Sequence, residues 1–474
     1  MTLGADEPEQ AVRAAGAVQP LWAHVPVAAR ARYVRAAARV ILDDLDALAE
    51  LIVREAGLPL TEAVTAELLP SAEILRRMAD DGPGALADRR AGPPALLRAG
   101  RRALLVHEPL GVIAVNASGA SPWLAAAERV GAALLAGNAV VLIPDEHAPG
   151  CAERVRLCFE RAGVPVGIVR TIAAGTVLDA RAQGAGPGPR VARVLPRDDP
   201  RAWASMLVLE DALTGQAVAG ALWGAFARCG CGPAAIKRVV VVGGRTGEFR
   251  ARLAAGARAL RVGDPALPET EAGLLRPADA GALERAIAAS EADLLCGGRR
   301  PGAPGDTGVR FAPAVLAGPE PAEPPAGPAV WVLEVADEAA AMALCVDERP
   351  AGANSVWTRD QARGERVARA LPGPQAWVNE HGRPAVGAAA RLEPLVSTSE
   401  IAWRPSRLPS ARRHPYDEAL ARAAAGVARI AHGREADRAA AVRASVRPVL
   451  RVVRRRGRSR PGADGPAAAG PERA

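Results

Sequence analysis

Between residues 110 and 172 the chain alternates short apolar runs with helical stretches. That alternation constrains the fold more than any other feature. Leu110–Val115 and Ala139–Ile143 are continuous apolar runs of strand length, the second stopped by Pro144. Between them, Trp123–Leu135 carries a helical pattern closed by Gly137 and Asn138. A further helical stretch spans Ala152–Ala162, and Gly163-Val-Pro-Val-Gly167 leads into a third apolar run at Ile168–Ile172. Unbroken apolar runs suit buried strands, and strand, helix, strand, helix, strand predicts a parallel sheet with crossover helices. The expected class is α/β.

The flanking segments extend this reading. Residues 1–20 read as a loose, disordered arm. From Pro26 to about Asp80, apolar residues recur at three- and four-residue spacing, which predicts helices. Residues 82–100 read as a connector. Gly184–Pro189 and Pro196–Pro200 break any regular element across 173–205. Order resumes with a strand at Met206–Leu209, a helix at Thr214–Ala227 and a strand at Lys237–Gly243. Strand and helix alternate again through Ala351–Ala370. Residues 418–455 read as helical, and from Arg456 the Gly, Pro, Ala and Arg composition predicts disorder. Aromatics are only 3% of the 474 residues, so Ala, Leu and Val must pack the core.

Charge and cysteine usage exclude several classes. The net charge is +8, and much of it lies in the run Arg451–Arg460. No aromatic interleaving or nucleic-acid motif accompanies that run, so it reads as a solvated tail and nucleic acid is not an expected partner. Lys237 is the only lysine. The first 20 residues lack the pattern of a secretory signal. No stretch reaches the roughly 20 apolar residues that span a bilayer. The expected location is therefore cytoplasmic, away from membranes. The six cysteines are scattered, which predicts reduced thiols. Cys229-Gly-Cys231 has no second ligand pair at zinc spacing, so no metal site is expected.

Several segments, in order, resemble the aldehyde dehydrogenase superfamily. His107-Glu-Pro-Leu-Gly-Val-Ile113 is similar to the family's entry into its cofactor domain. Ala133–Pro144 resembles its "ALAAGN-VVLKP" segment. Val208–Ala212 and Gly220–Phe226 resemble the run into the nucleophile loop. Val262–Pro265, Phe311–Pro313, Ser355–Thr358 and Trp377–Asn379 resemble catalytic-domain landmarks, and His414–Tyr416 is similar to the end of some members. The likeness spans roughly residues 20 to 450. It implies a Rossmann-type cofactor domain, an α/β catalytic domain and a small oligomerisation flap. It also implies NAD or NADP as cofactor and oxidation of aldehydes to acids. In that chemistry a cysteine thiolate attacks the carbonyl, an amide and a backbone N–H hold the oxyanion, and a glutamate activates water.

The residues that carry this chemistry in the family are missing here. With Phe226 and Arg238 pinning the loop, the nucleophile position falls on Pro233, which has neither thiol nor N–H. Cys231 lies two residues upstream and Cys229 four. Attack needs about 3–3.5 Å, so the loop around Gly230 and Gly232 must be remodelled for Cys231 to serve. Counting back from Gly137-Asn138 puts Ala120 where the oxyanion amide belongs, with Asn116 and Ser121 flanking it. Asp199 stands near the general-base position, inside a turn. The ribose-binding lysine is Ile143. Pro144 and Glu146 remain as candidate cofactor contacts, Glu146 matching a ribose-binding glutamate. No glycine-rich turn opens a helix for the pyrophosphate, which argues against tight cofactor binding.

The resemblance divides the chain into a disordered arm (1–20), a cofactor-domain-like part (21–212, shortened over 173–205) and a catalytic-domain-like part (213–387). A flap remnant (388–412), C-terminal helices (413–455) and a disordered basic tail (456–474) follow. The reading is a catalytically impaired pseudoenzyme, acting as a homo-oligomer or as a hetero-oligomer with an active paralogue. Two alternatives stay open. One is a divergent NAD(P)-dependent aldehyde dehydrogenase working through Cys231. The other is a binding or scaffold protein.

Overall fold

A computed structural model describes residues 7–91, 102–178, 190–195, 204–232, 234–301, 309–346, 353–373, 375–382 and 391–403, with eight positions between 425 and 450. The chain divides into two units, Met1–Leu86 with Glu108–Ser397 and Ala87–His107 with Thr398–Ala474.

The first unit opens with α1 (Pro8–Ala23), α2 (Val27–Asp43), α3 (Leu45–Ala56) and the single turn α4 (Leu60–Glu62). A π-type turn over Ala63–Leu68 leads into α5 (Leu69–Ala85). From residue 8, the arm expected to be loose is instead helix α1. Pro8 sits at its first turn, where a missing N–H costs nothing, and Ala11, Val12 and Ala15 are buried against a sheet. The strands β1 (Arg89–Ala91) and β2 (Arg102–Pro109) come next.

The predicted alternation then appears as β3 (Val112–Asn116), α6 (Leu124–Leu135), β4 (Ala139–Ile143), α7 (Pro149–Arg161), β5 (Val169–Thr171) and β6 (Val191–Leu195). These four strands form one parallel sheet in the order β5-β4-β3-β6. Side chains alternate faces along a strand. Ile113, Val115, Val140 and Leu142 therefore join the core under the helices α2, α5, α6 and α7. Val112, Ala114, Val141 and Ile143 face α1.

A second, seven-stranded sheet is built from β7 (Ala204–Val208), α8 (Thr214–Phe226), β8 (Ile236–Val242), α9 (Thr246–Ala259), β9 (Leu274–Leu275), α10 (Pro277–Ala288), β10 (Asp293–Cys296), β11 (Val309–Arg310), β12 (Ala314–Ala317), β13 (Ala329–Val335), α11 (Glu338–Cys345), β14 (Ala353–Trp357), α12 (Gln361–Ala370) and β15 (Gln375–Val378). Its order is β10-β12-β13-β8-β7-β14-β15, and β9 pairs with β11 apart from it. Only the edge strand β10 runs antiparallel. The boundary expected at residue 212 shifts as a result: β7 pairs with β8 and β14, so it belongs to the second sheet and not to the first. Along β8, Val239 and Val241 pack with α8 and α9, while Val240 and Val242 pack with α11 and α12.

The last strand, β16 (Val396–Trp403), joins β1 and β2 in a three-stranded sheet. It falls within the segment expected as a flap remnant. Of the expected C-terminal helices only scattered helical positions are described, and the expected tail at 456–474 lies outside the described residues. No helix among the described residues is long and apolar enough to cross a membrane.

Candidate functional site

The site centres on the loop between α8 and β8. Arg228 (φ 51°), Cys229 (φ 51°) and Gly230 (φ 63°) adopt left-handed backbone in succession. Each non-glycine residue there costs about 1–2 kcal/mol, so neighbours must hold the loop. Arg228 N donates to Glu62 Oε2 at 2.7 Å. The buried Lys237 Nζ donates to Gly230 O at 2.9 Å and also to Gly327 O. Gly327 N donates back to Gly230 O at 3.2 Å. A Cβ at residue 230 would lie 2.3 Å from Gly327 O, so only glycine fits. On the far side of the loop, His381 Nε2 donates to Ala234 O at 2.6 Å, and its Nδ1 meets Ser355 Oγ at 3.1 Å. That assignment makes His381 neutral, and burial holds its pKa down at about 4.

Burial raises the pKa of both loop thiols. Cys229 is buried, and burial pushes its thiol well above the ordinary range. Cys231 is half-buried, and its Sγ donates to Cys229 O at 3.4 Å. Burial pushes it up to about 11, although Lys237 pulls the other way. The same burial lowers Lys237 to about 8. The thiolate is the reactive form, so both sulfurs stay protonated at neutral pH. All six cysteines are free thiols, as expected. Among the described residues no cluster of three His, Cys, Asp or Glu is placed to hold a metal. Pro233 and Asp199 lie outside the described residues.

Cys231 opens onto a cavity of about 230 Å³ that Ala120 also lines. Ala120 brings no amide to the cavity. The two flanking candidates are engaged elsewhere: Asn116 Nδ2 donates to Leu195 O at 3.2 Å, and Ser121 Oγ donates to Glu67.

A second cavity of about 740 Å³ lies on the other side of Arg228. Arg228 lines both cavities, whereas Cys231 lines only the smaller one. The Arg228 guanidinium is anchored by Nε to Glu67 Oε1 (2.8 Å) and by Nη2 to Ala66 O (2.7 Å). Glu67 is fully buried. It also accepts from Ser121 Oγ (3.1 Å), Trp123 N (3.1 Å) and Leu124 N (2.8 Å), so it caps the start of α6. The π-type turn makes this possible. At 3.6 residues per turn, residues five apart point to different sides of an α-helix. The wider turn lets Glu62 and Glu67 both meet Arg228.

Ile143 is buried in the apolar cluster facing α1 and offers no ribose contact. Pro144 is buried at the end of β4. Glu146 is exposed, and its carboxylate sits against Gly175, where a Cβ would come within 2.5 Å of Oε1. The start of α7 has its N–H groups at Gly150 and Cys151 taken by Glu55 (3.2 and 2.9 Å). Helix starts cradle phosphate through free N–H groups. Here α6 and α7 spend theirs on the chain's own carboxylates. Among the described residues, then, Glu146 is what remains of the family's cofactor contacts, and these residues do not fit a pyrophosphate.

Sequence reading missed Glu62, Glu67 and Arg228. The available signal was two acids inside the apolar pattern of Thr61–Met78, where burial requires a partner.

The fold is α/β, with one parallel sheet and one largely parallel sheet. The aldehyde dehydrogenase family profile matches residues 2–182 and 202–390, and the chain belongs to that family. A succinate-semialdehyde dehydrogenase, NADP(+), of Deinococcus radiodurans is 31% identical over 389 residues, covering 76% of this chain and 79% of that one. The succinate semialdehyde dehydrogenase, NAD(P)+, Sad of Escherichia coli K12 is 28% identical over 404 residues, covering 78% and 84%. Among solved structures, an NAD-dependent benzaldehyde dehydrogenase from Corynebacterium glutamicum aligns with a TM-score of 0.73 at 22% identity, covering 85% and 90%. PnpE from Pseudomonas sp. WBC-3 aligns at 0.74 and 22%, covering 85% and 91%. These neighbours share the fold: the four-stranded sheet is the Rossmann-type part and the seven-stranded sheet the catalytic part.

Proposed function

We propose that this chain is a non-catalytic member of the aldehyde dehydrogenase family. The observation that carries the reading is the Arg228–Glu67 pair. Arg228 lines both the larger cavity and the pocket holding Cys231, and Glu67 anchors it there. An aldehyde in the larger cavity meets a guanidinium instead of a thiolate. Beyond it, Cys231 is a protonated thiol turned to its own loop, and among the described residues lining its pocket no side-chain amide is placed to hold an oxyanion. The role that fits is association, either with copies of itself or with an active paralogue, or service as a scaffold. The three-stranded sheet of β1, β2 and β16 is the proposed flap, and 213–387 the proposed catalytic-domain-like part.

A second reading is oxidation of a semialdehyde through Cys231, with Asp199 as general base and Glu146 and Pro144 at the ribose. The two succinate-semialdehyde dehydrogenase relatives support it, as does the shared cavity of Cys231 and Ala120. Calorimetry with NAD and NADP separates the two. No heat of binding with either cofactor is expected. Saturable binding of either, weakened by Glu146→Ala, favours the catalytic reading.

A further inference from the structure

The larger cavity is an open-sided chamber with a cation in its lining. Its volume of about 740 Å³ suits a small organic molecule. The indoles of Trp223 and Trp377 stand in its walls, and Trp223 is 44% exposed although it is large and apolar. The floor is Arg228. Its Nε and Nη2 are committed to Glu67 and Ala66. Its Nη1 has no partner among the described residues.

The charge balance at the floor favours an anion. Glu67 is already served by Ser121 Oγ and by two N–H groups at the start of α6, whose dipole also favours a negative charge. Glu62, the other acid at Arg228, is held near neutrality by burial. Helix and burial thus satisfy much of the acidic charge, and the guanidinium charge is left for an incoming group. A guanidinium binds a carboxylate through charge-assisted hydrogen bonds and a flat apolar body packs on indole. We propose that this chamber is a binding site for a small organic carboxylate with a flat apolar body, its carboxylate taken by Arg228 Nη1. The inference rests on the non-catalytic reading, since it needs the Arg228 guanidinium, and not a thiolate, to meet the ligand.

The test uses the full chain and two probes of one shape, phenylacetate and its neutral amide phenylacetamide, followed by calorimetry and tryptophan fluorescence. Phenylacetate is expected to bind about tenfold or more tightly than the amide, with a change in indole emission. The double variant Glu67→Gln/Arg228→Gln removes both charges of the pair, so no buried acid is orphaned. It is expected to erase the difference between the probes. Equal binding of acid and amide to the wild-type chain overturns the proposal. So does the absence of phenylacetate binding, or an undiminished preference in a double variant that melts cooperatively. Turnover of aldehydes is measured separately by cofactor reduction. Turnover with no phenylacetate binding sinks both readings, whereas neither turnover nor binding sinks only the ligand site.

Discussion

Arg228 Nε lies 2.8 Å from Glu67 Oε1, and 161 residues of sequence separate the two. Glu67 is fully buried, while the Arg228 side chain keeps 20% exposure. Removing one partner of a buried pair strands the other. Glu67→Ala strands Arg228, Ser121 and two N–H groups of α6, so it is expected to cost about 3 kcal/mol or more. Arg228→Ala leaves Glu67 on the helix start and is expected to cost less, about 1–2 kcal/mol. Urea midpoints measure both. A larger loss for Arg228→Ala contradicts the assignment of Glu67 as the cap of α6.

Cys231 sets a chemical signature. With its thiol pushed up to about 11, thiolate at neutral pH is on the order of one part in ten thousand. Alkylation by iodoacetamide is expected to be slow at neutral pH and to rise about tenfold per pH unit towards 11. Cys231→Ser removes that phase. Fast, pH-independent labelling at Cys231 reveals an activated nucleophile and contradicts the account.

Glu62 makes stability fall as pH rises. Burial raises its pKa from the ordinary 4.5 to about 7. The folded chain therefore holds a proton that the unfolded chain has released between those values. This contribution is fully present below about 4.5 and is lost as pH rises through about 7, a difference on the order of 3 kcal/mol. Glu62→Gln is expected to gain stability relative to the wild-type chain as pH rises from about 5 to about 8. A constant difference across that range refutes the assignment.

His381 acts with the opposite sign. Its folded pKa is lowered from 6.5 to about 4, so the unfolded chain binds more protons between these values. Its contribution is present above about 6.5 and is lost as pH falls towards 4. His381→Gln is expected to flatten the acid side of the stability profile and to loosen the loop at Ala234, read as faster amide exchange there. A variant with the wild-type acid profile removes His381 from this role.

Much of the fold was legible because local patterns encode it. β3, α6, β4, α7 and β5 fall close to the runs that predicted them, since apolar runs and Gly/Pro stops act over a few residues. Helix α1 was missed because half of its buried positions are alanine, which reads as weakly apolar, and Pro20 lies within it. The strand β7 was seen but given to the wrong sheet, because pairing is not a local property. At the site, counting from landmarks gave Pro233 and Ala120, with Cys231 two residues from the first, and Ala120 and Cys231 line one cavity. Arg228, Glu62 and Glu67 were not legible. Their meaning depends on a π-type turn and on a contact across more than a hundred and fifty residues, and neither leaves a spacing signal.

The most direct measurement of the central claim is cofactor reduction by the purified chain, with NAD and then NADP, over succinate semialdehyde, benzaldehyde and other aldehydes. The account predicts no rate above that of the Cys231→Ser variant. A steady rate in the wild-type chain that disappears in Cys231→Ser contradicts it and restores Cys231 as a catalytic nucleophile.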